Sequence, residues 1–144
     1  MRVYFAGPIR GGRNRKDVAR YQQLIQYLQK FGEVPTEHVG YKGRAATGEN
    51  GLPNRHIHDR DMRWLLSAQV IVAEVTKPSL GVGYEIGRAI ERGKPVLCLY
   101  SPKKGKKLSA MIAGSPDLTL RNYRTLEEAK LAIDEFLSTH YVKK

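Results

Sequence analysis

The stretch "QVIVAEV", residues 69 to 75, is almost continuously apolar and β-branched, and a helical pattern follows it within a few residues. A strand of that composition has to be covered on both faces, the condition of a parallel strand inside an α/β protein. The same alternation runs along the chain. "RVYFAG" (2 to 7) reads as a first strand, and "DVARYQQLIQYLQKFG" (17 to 32) as a helix with apolar positions Val18, Tyr21, Leu24, Ile25 and Leu28, closed by Gly32. "EVPTEHV" (33 to 39) is a short second strand, and residues 40 to 55, rich in Gly, Asn and Pro, form a loop. A second helix spans about Arg55 to Ser67, another about 82 to 92, ending at Gly93. Then come the strand "PVLCLY" (95 to 100), a short helical stretch at "LSAMIA" (108 to 113), an edge strand "LTLRNY" (118 to 123), and a last helix with Thr125 as its cap and Glu128 three residues on.

Strand and helix alternating in this way predict one α/β domain over residues 1–144, built on a parallel sheet with helices on both faces. Ligands of such sheets bind beyond the carboxyl ends of the strands, where strand order reverses, so the loops after residues 7, 39, 75 and 100 are the places to look. The single cysteine, Cys98, excludes an internal disulfide framework and, inside an apolar run, is expected to be a packing residue in a reducing compartment. No apolar run is long enough to span a bilayer, and "MRVYFAGPIRGG" begins as a strand and not as a signal peptide, so a soluble cytoplasmic protein is expected. Lys and Arg number 25 against 14 Asp and Glu, a formal charge of +11 that favours anionic partners. Few aromatics interleave with the basic residues, so a small phosphorylated ligand fits as well as a nucleic acid, and no stable nucleic-acid or membrane partner is expected.

Two carboxylates stand apart from ordinary surface acids. In the second helix Ile57, Asp61, Trp64, Leu65 and Ala68 share one stripe, so Asp61 falls on the apolar face, either paired to Arg60 or Arg63 or put to use. Glu85 lies at the boundary of the stripe Val82, Ile86, Ala89 and Ile90, either solvated with Arg88 as a salt partner or placed for chemistry at a helix start beyond a strand end. Two carboxylates on neighbouring crossovers suit glycosidic chemistry, whose transition state is oxocarbenium-like. "SLGVG" (79 to 83) joins a hydroxyl, small residues and a helix start, a good anion site. "GPIRGG" (7 to 12) offers glycines and Arg10 for a phosphate or a base edge, or is a plain turn. "GVGYEIG" has neither the spacing nor the position of a dinucleotide fingerprint, so no NAD is expected. The histidines of "HIHD" (56 to 59), at i and i+2, do not share a helix face and read as surface residues, with no metal expected. "SPKKGKK" (101 to 107) is a solvated loop or a steering patch for an anionic substrate.

Taken together, "VYFAGPIRGG", "FGEVPTEHV", "IHDRDMRWLLSAQVIVAEVTKPSLGVGYEIGRAI" and "LSAMIAG" resemble the 2'-deoxynucleoside 5'-phosphate N-hydrolases, the Rcl-type branch of the nucleoside 2-deoxyribosyltransferase superfamily, over nearly the whole chain. The resemblance implies a flavodoxin/Rossmann-like three-layer sandwich with a parallel five-stranded sheet, and a homodimer without cofactor that cleaves the N-glycosidic bond of deoxynucleoside monophosphates. It implies Glu85 as the nucleophile at C1', Asp61 as the second acid, and Tyr4 as the tyrosine beside the nucleophile that disfavours a 2'-hydroxyl. It further implies Ser79 and Gly81 at the 5'-phosphate, Ser109 reaching in from the partner subunit, and Gly7, Ile9, Arg10, Gly11 and His38 lining the nucleotide pocket. Pro8 stands where the Rcl-type branch carries a serine, a feature closer to the deoxyribosyltransferases, and it keeps base exchange in view. A third expectation, from another class, is a nonenzymatic nucleotide or nucleic-acid binding module on the same fold.

Overall fold

Every side chain of the strands β1 (Val3–Ala6), β2 (Val70–Glu74) and β3 (Val96–Tyr100) is buried, because helices cover both faces of the sheet they form. The structure, a computed structural model, describes residues 1–8, 15–35 and 52–140. β4 (Thr119–Asn122) completes a parallel sheet in the order β1-β2-β3-β4, its side chains half-buried or exposed as befits an edge. The helices are α1 (Arg15–Leu28), α2 (Asn54–Ser67), α3 (Leu80–Glu91), the one-turn α4 (Ala110–Ala113) and α5 (Leu126–His140).

The period-2 alternation of the strands divides the core into two layers. Val3, Phe5, Val70, Val72, Leu97 and Leu99 pack against α1 and α5 on one face. Tyr4, Ala6, Ile71, Ala73, Val96 and Cys98 pack against α2 and α3 on the other. Cys98 is fully buried, and burial pushes its thiol up to about 12, as a packing residue requires.

The five-stranded expectation is corrected to four strands among the described residues. At the place of the extra strand the chain makes one isolated parallel bridge, Arg2 with Glu33. The Val3 N–H donates to the Glu33 carbonyl at 2.8 Å, while the Arg2 carbonyl accepts from Gln69 at 2.9 Å, so the bridge lies on the side of β1 away from β2. Pro35 has no N–H with which to extend the ladder. Counting that bridge as the place of a second strand gives the flavodoxin-like order, with the reversal between β1 and β2. The helix expected over 17 to 32 begins at Arg15 and stops at Leu28, before Gly32. A Cβ on Gly32 would lie 1.9 Å from the Met1 carbonyl oxygen, so only glycine lets the chain pass this close to the first strand.

Candidate active site

Two side chains meet where the strand order reverses. Tyr4 stands on β1, on the α2/α3 face, with its ring buried at 1 % exposure. Its hydroxyl donates to Oε2 of Glu85, in the second turn of α3. Burial, reinforced by the charges of Glu85 and Asp61, holds the phenol well above its usual pKa, so it stays protonated and acts as a donor. Burial also raises Glu85, the Tyr4 hydrogen bond partly offsets this, and the Asp61 charge adds to the rise; the carboxyl is pushed up to about 7.

Asp61 belongs to this group through its field on both partners. It sits in the second turn of α2, half-buried, and Arg60 donates to its Oδ1 through Nε at 3.1 Å and Nη2 at 3.0 Å. The Arg60 guanidinium lies over the Trp64 ring, 4.8 Å from its centroid, within cation–π range. Of the two arginines considered from the sequence, Arg60 is therefore a partner. Arg88, the salt partner considered for Glu85, turns instead to the Tyr84 hydroxyl at 2.6 Å.

The start of α3 carries the serine and glycines singled out in the sequence. Ser79, extended at φ −150° and ψ 121°, caps the helix by accepting from the Val82 N–H at 3.3 Å. A Cβ at Gly81 would meet nothing closer than the Ser79 Oγ at 3.9 Å, and one at Gly83 would meet nothing within 4 Å. Packing within the chain does not demand these glycines, which in a helix cost about 1 kcal/mol each against alanine. Without a Cβ they leave the backbone of the first turn open to close approach.

Ser79 and Ser109 line one cavity of about 420 Å³ between α3 and α4. Ser109 caps α4, accepting from the Met111 N–H at 3.2 Å. Lys107, from the basic run at 101 to 107, also lines this cavity. Its wall is largely apolar, and Leu80 and Met111 beside it are 97 % and 82 % exposed.

Gly7 and Pro8 are buried just after β1. Ile9, Arg10, Gly11 and His38 lie outside the described residues. His58 is tied at the surface to Asp59 and to the Tyr84 hydroxyl, at 2.8 and 2.9 Å. Among the described residues no three potential metal ligands come together, and no helix is long and apolar enough to cross a membrane.

Sequence reasoning missed a second polar group on the opposite face, made of Asp17, Arg20, Glu74 and Tyr123. The signal was present: Glu74 falls in step with the inward-facing Val70 and Val72.

The model of the nucleoside 2-deoxyribosyltransferase family matches residues 3–129. The chain belongs to that family. It is 50% identical over 133 residues to a 5-hydroxymethyl-dUMP N-hydrolase of Esox lucius, covering 91% of this chain and 90% of that one. It is 49% identical over 144 residues to a putative 2'-deoxynucleoside 5'-phosphate N-hydrolase 1 of Trichoplax adhaerens, covering 98% and 96%. Among solved structures, a Clostridium botulinum CMP N-glycosidase superposes with a TM-score of 0.70 at 20% identity, over 95% of this chain and all of the other, which shows the fold. The α/β, parallel-sheet expectation and the family resemblance both hold.

Proposed function

We propose that this protein hydrolyses the N-glycosidic bond of 2'-deoxynucleoside 5'-monophosphates, releasing the base and 2-deoxyribose 5-phosphate. The observation that carries the reading is the Tyr4–Glu85 hydrogen bond under the field of Asp61, close to a capped helix start suited to a phosphate. Glu85 attacks C1' as the bond to the base nitrogen breaks, its electron pair leaving with the base; Asp61 manages the proton that the base acquires. Water then attacks C1', its proton passing to Asp61 in place of the one the base took, the glutamyl ester breaks, and Glu85 returns as a carboxylate. Tyr4 orients the attacking carboxylate and crowds a 2'-hydroxyl. Ser79, Gly81 and the amides of the first turn of α3 take the phosphate. The relatives' names make 5-hydroxymethyl-dUMP the first substrate to try.

The protein is further proposed to act as a homodimer in the cytoplasm, with Ser109 reaching the phosphate of the partner's site. Leu80 and Met111 expose apolar surface that supports a dimer contact, while the cavity that Ser109 lines is shared with Ser79 of the same chain.

The test is a panel of deoxynucleoside monophosphates, ribonucleoside monophosphates and free deoxynucleosides, with base release measured for wild type and Glu85→Gln. Release confined to the deoxy monophosphates and lost in the variant establishes the hydrolase. Membership of a transferase family, with Pro8 in the first loop, favours base exchange as the second reading. Exchange that appears only on adding an acceptor base would assign it, and silence throughout would leave a binding module.

A further inference from the structure

Glu74 is the last residue of β2 and is fully buried on the α1/α5 face of the sheet, away from Tyr4 and Glu85. A carboxylate in such a place is costly unless its oxygens are all engaged, and here both are. Oε2 accepts from the Tyr123 hydroxyl and faces Arg20 Nε at 3.6 Å. Oε1 accepts the backbone N–H of Thr76 at 2.6 Å. Asp17, 2 % exposed in the first turn of α1, faces Arg20 Nη2 through Oδ1 and Lys77 Nζ through Oδ2, both at 3.0 Å. Thr76 Oγ1 in turn accepts the Ser101 N–H at 2.9 Å.

The contacts have one target. Residues Thr76 and Lys77 open the turn that ends at Ser79, the cap of the helix whose start we read as the phosphate site. That turn is held from α1 through Asp17, from β2 through Glu74, and from the chain after β3 through Ser101. Pro78 contributes no N–H of its own, so few backbone bonds are available to hold the segment otherwise. A turn left free would lose its conformational freedom on binding, whereas a turn fixed in advance does not.

We propose that Asp17, Arg20, Glu74 and Tyr123 form a positioning network that fixes the Thr76–Ser79 turn and so sets the affinity of the helix start for the substrate's 5'-phosphate. This rests on the function proposed above. The network touches neither the sugar carbon nor the departing base, so it acts on binding and leaves the chemical step alone.

The experiment compares wild type with Asp17→Asn and Glu74→Gln, with Tyr123→Phe as the mildest variant in case the others fold poorly. KM for 5-hydroxymethyl-dUMP is expected to rise about tenfold in the first two, kcat to stay within about threefold, and inhibition by inorganic phosphate to weaken in parallel. Amide hydrogen exchange over residues 76–82 should quicken in the variants while the amides of β1, β2 and β3 keep their protection. A lower melting temperature with KM and loop exchange unchanged well below it would overturn the proposal and leave a merely structural network. A wild-type protein silent on every deoxynucleoside monophosphate would remove the function, and with it the 5'-phosphate as the ligand, but not the fixing of the turn. In that case loop exchange decides it: faster in the variants supports positioning, unchanged refutes it.

Discussion

The Tyr4 hydroxyl donates to the Glu85 carboxylate across 81 residues of sequence, joining the first strand to the helix that follows the second. The bond favours the ionised carboxylate while burial and Asp61 oppose it, leaving Glu85 at about 7. A nucleophilic carboxylate works only when ionised, so base release should climb about tenfold per pH unit below 7 and level off above it. A rate profile between pH 5 and 9 checks this; a plateau extending down to pH 5 would exclude Glu85 as the titrating nucleophile.

Tyr4→Phe keeps the ring in its buried slot and removes only the donor. Glu85 then loses the one contribution that lowers it, and the acid limb of the profile moves to higher pH. The variant should therefore lose more activity at pH 6 than at pH 8.5. An equal loss at both would mean that Tyr4 acts on the substrate alone.

Asp61→Asn works in the opposite sense on Glu85, because it removes a charge that raises it. The acid limb should shift to lower pH while the rate falls by about a hundredfold at its plateau. If Asp61 manages the proton on the departing base, the loss shrinks for nucleotides whose base leaves readily without protonation. A series of substrates graded by leaving-group basicity measures this, and a uniform loss would reduce Asp61 to a charge that tunes Glu85.

Glu85 also carries a stability cost. Its folded pKa of about 7 lies above the ordinary 4.5, so between these values the folded state holds the proton that the unfolded state has released. Stability accordingly falls as pH rises through that window and is level above it, by an amount on the order of 3 kcal/mol at most. Glu85→Gln removes the titration. Its melting temperature should gain on that of wild type as pH goes from 4.5 to 7, and paired melts at the two ends of the window test the sign.

Much of this was legible in residue order. "QVIVAEV" announced a two-faced strand because its apolar, β-branched character runs over nearly its whole length, and Asp61 on an apolar stripe announced an acid either paired or put to use. Glu85 was not legible from spacing, since a boundary position one turn into a helix is common; the family resemblance singles it out in the sequence, and the meeting with Tyr4, made by sheet topology, sets it apart in the structure. The Asp17–Arg20–Glu74 group is assembled from α1 and β2, and no local pattern reports a contact of that range. Of "EVPTEHV", the described residues 33–35 pair through one bridge, where Pro35 has no N–H to extend the ladder, and residues 36–39 lie outside the described residues.

The glycines at the start of α3 give the last prediction, one in which stability and function part company. The backbone at Gly81 is helical, and a methyl group there would meet only Ser79 Oγ at an ordinary 3.9 Å. Gly81→Ala should thus stabilise the free protein by about 0.5–1 kcal/mol, through a smaller loss of unfolded-chain entropy, and raise its melting temperature by a few degrees. If the helix start takes the 5'-phosphate, the same methyl group stands where the phosphate oxygens approach the amides, and KM for the monophosphate should rise at least tenfold. Melting curves and steady-state kinetics on the one variant read both halves. A gain in stability with KM unchanged would move the phosphate away from this helix, and a loss of stability would mean that the glycine serves the fold after all.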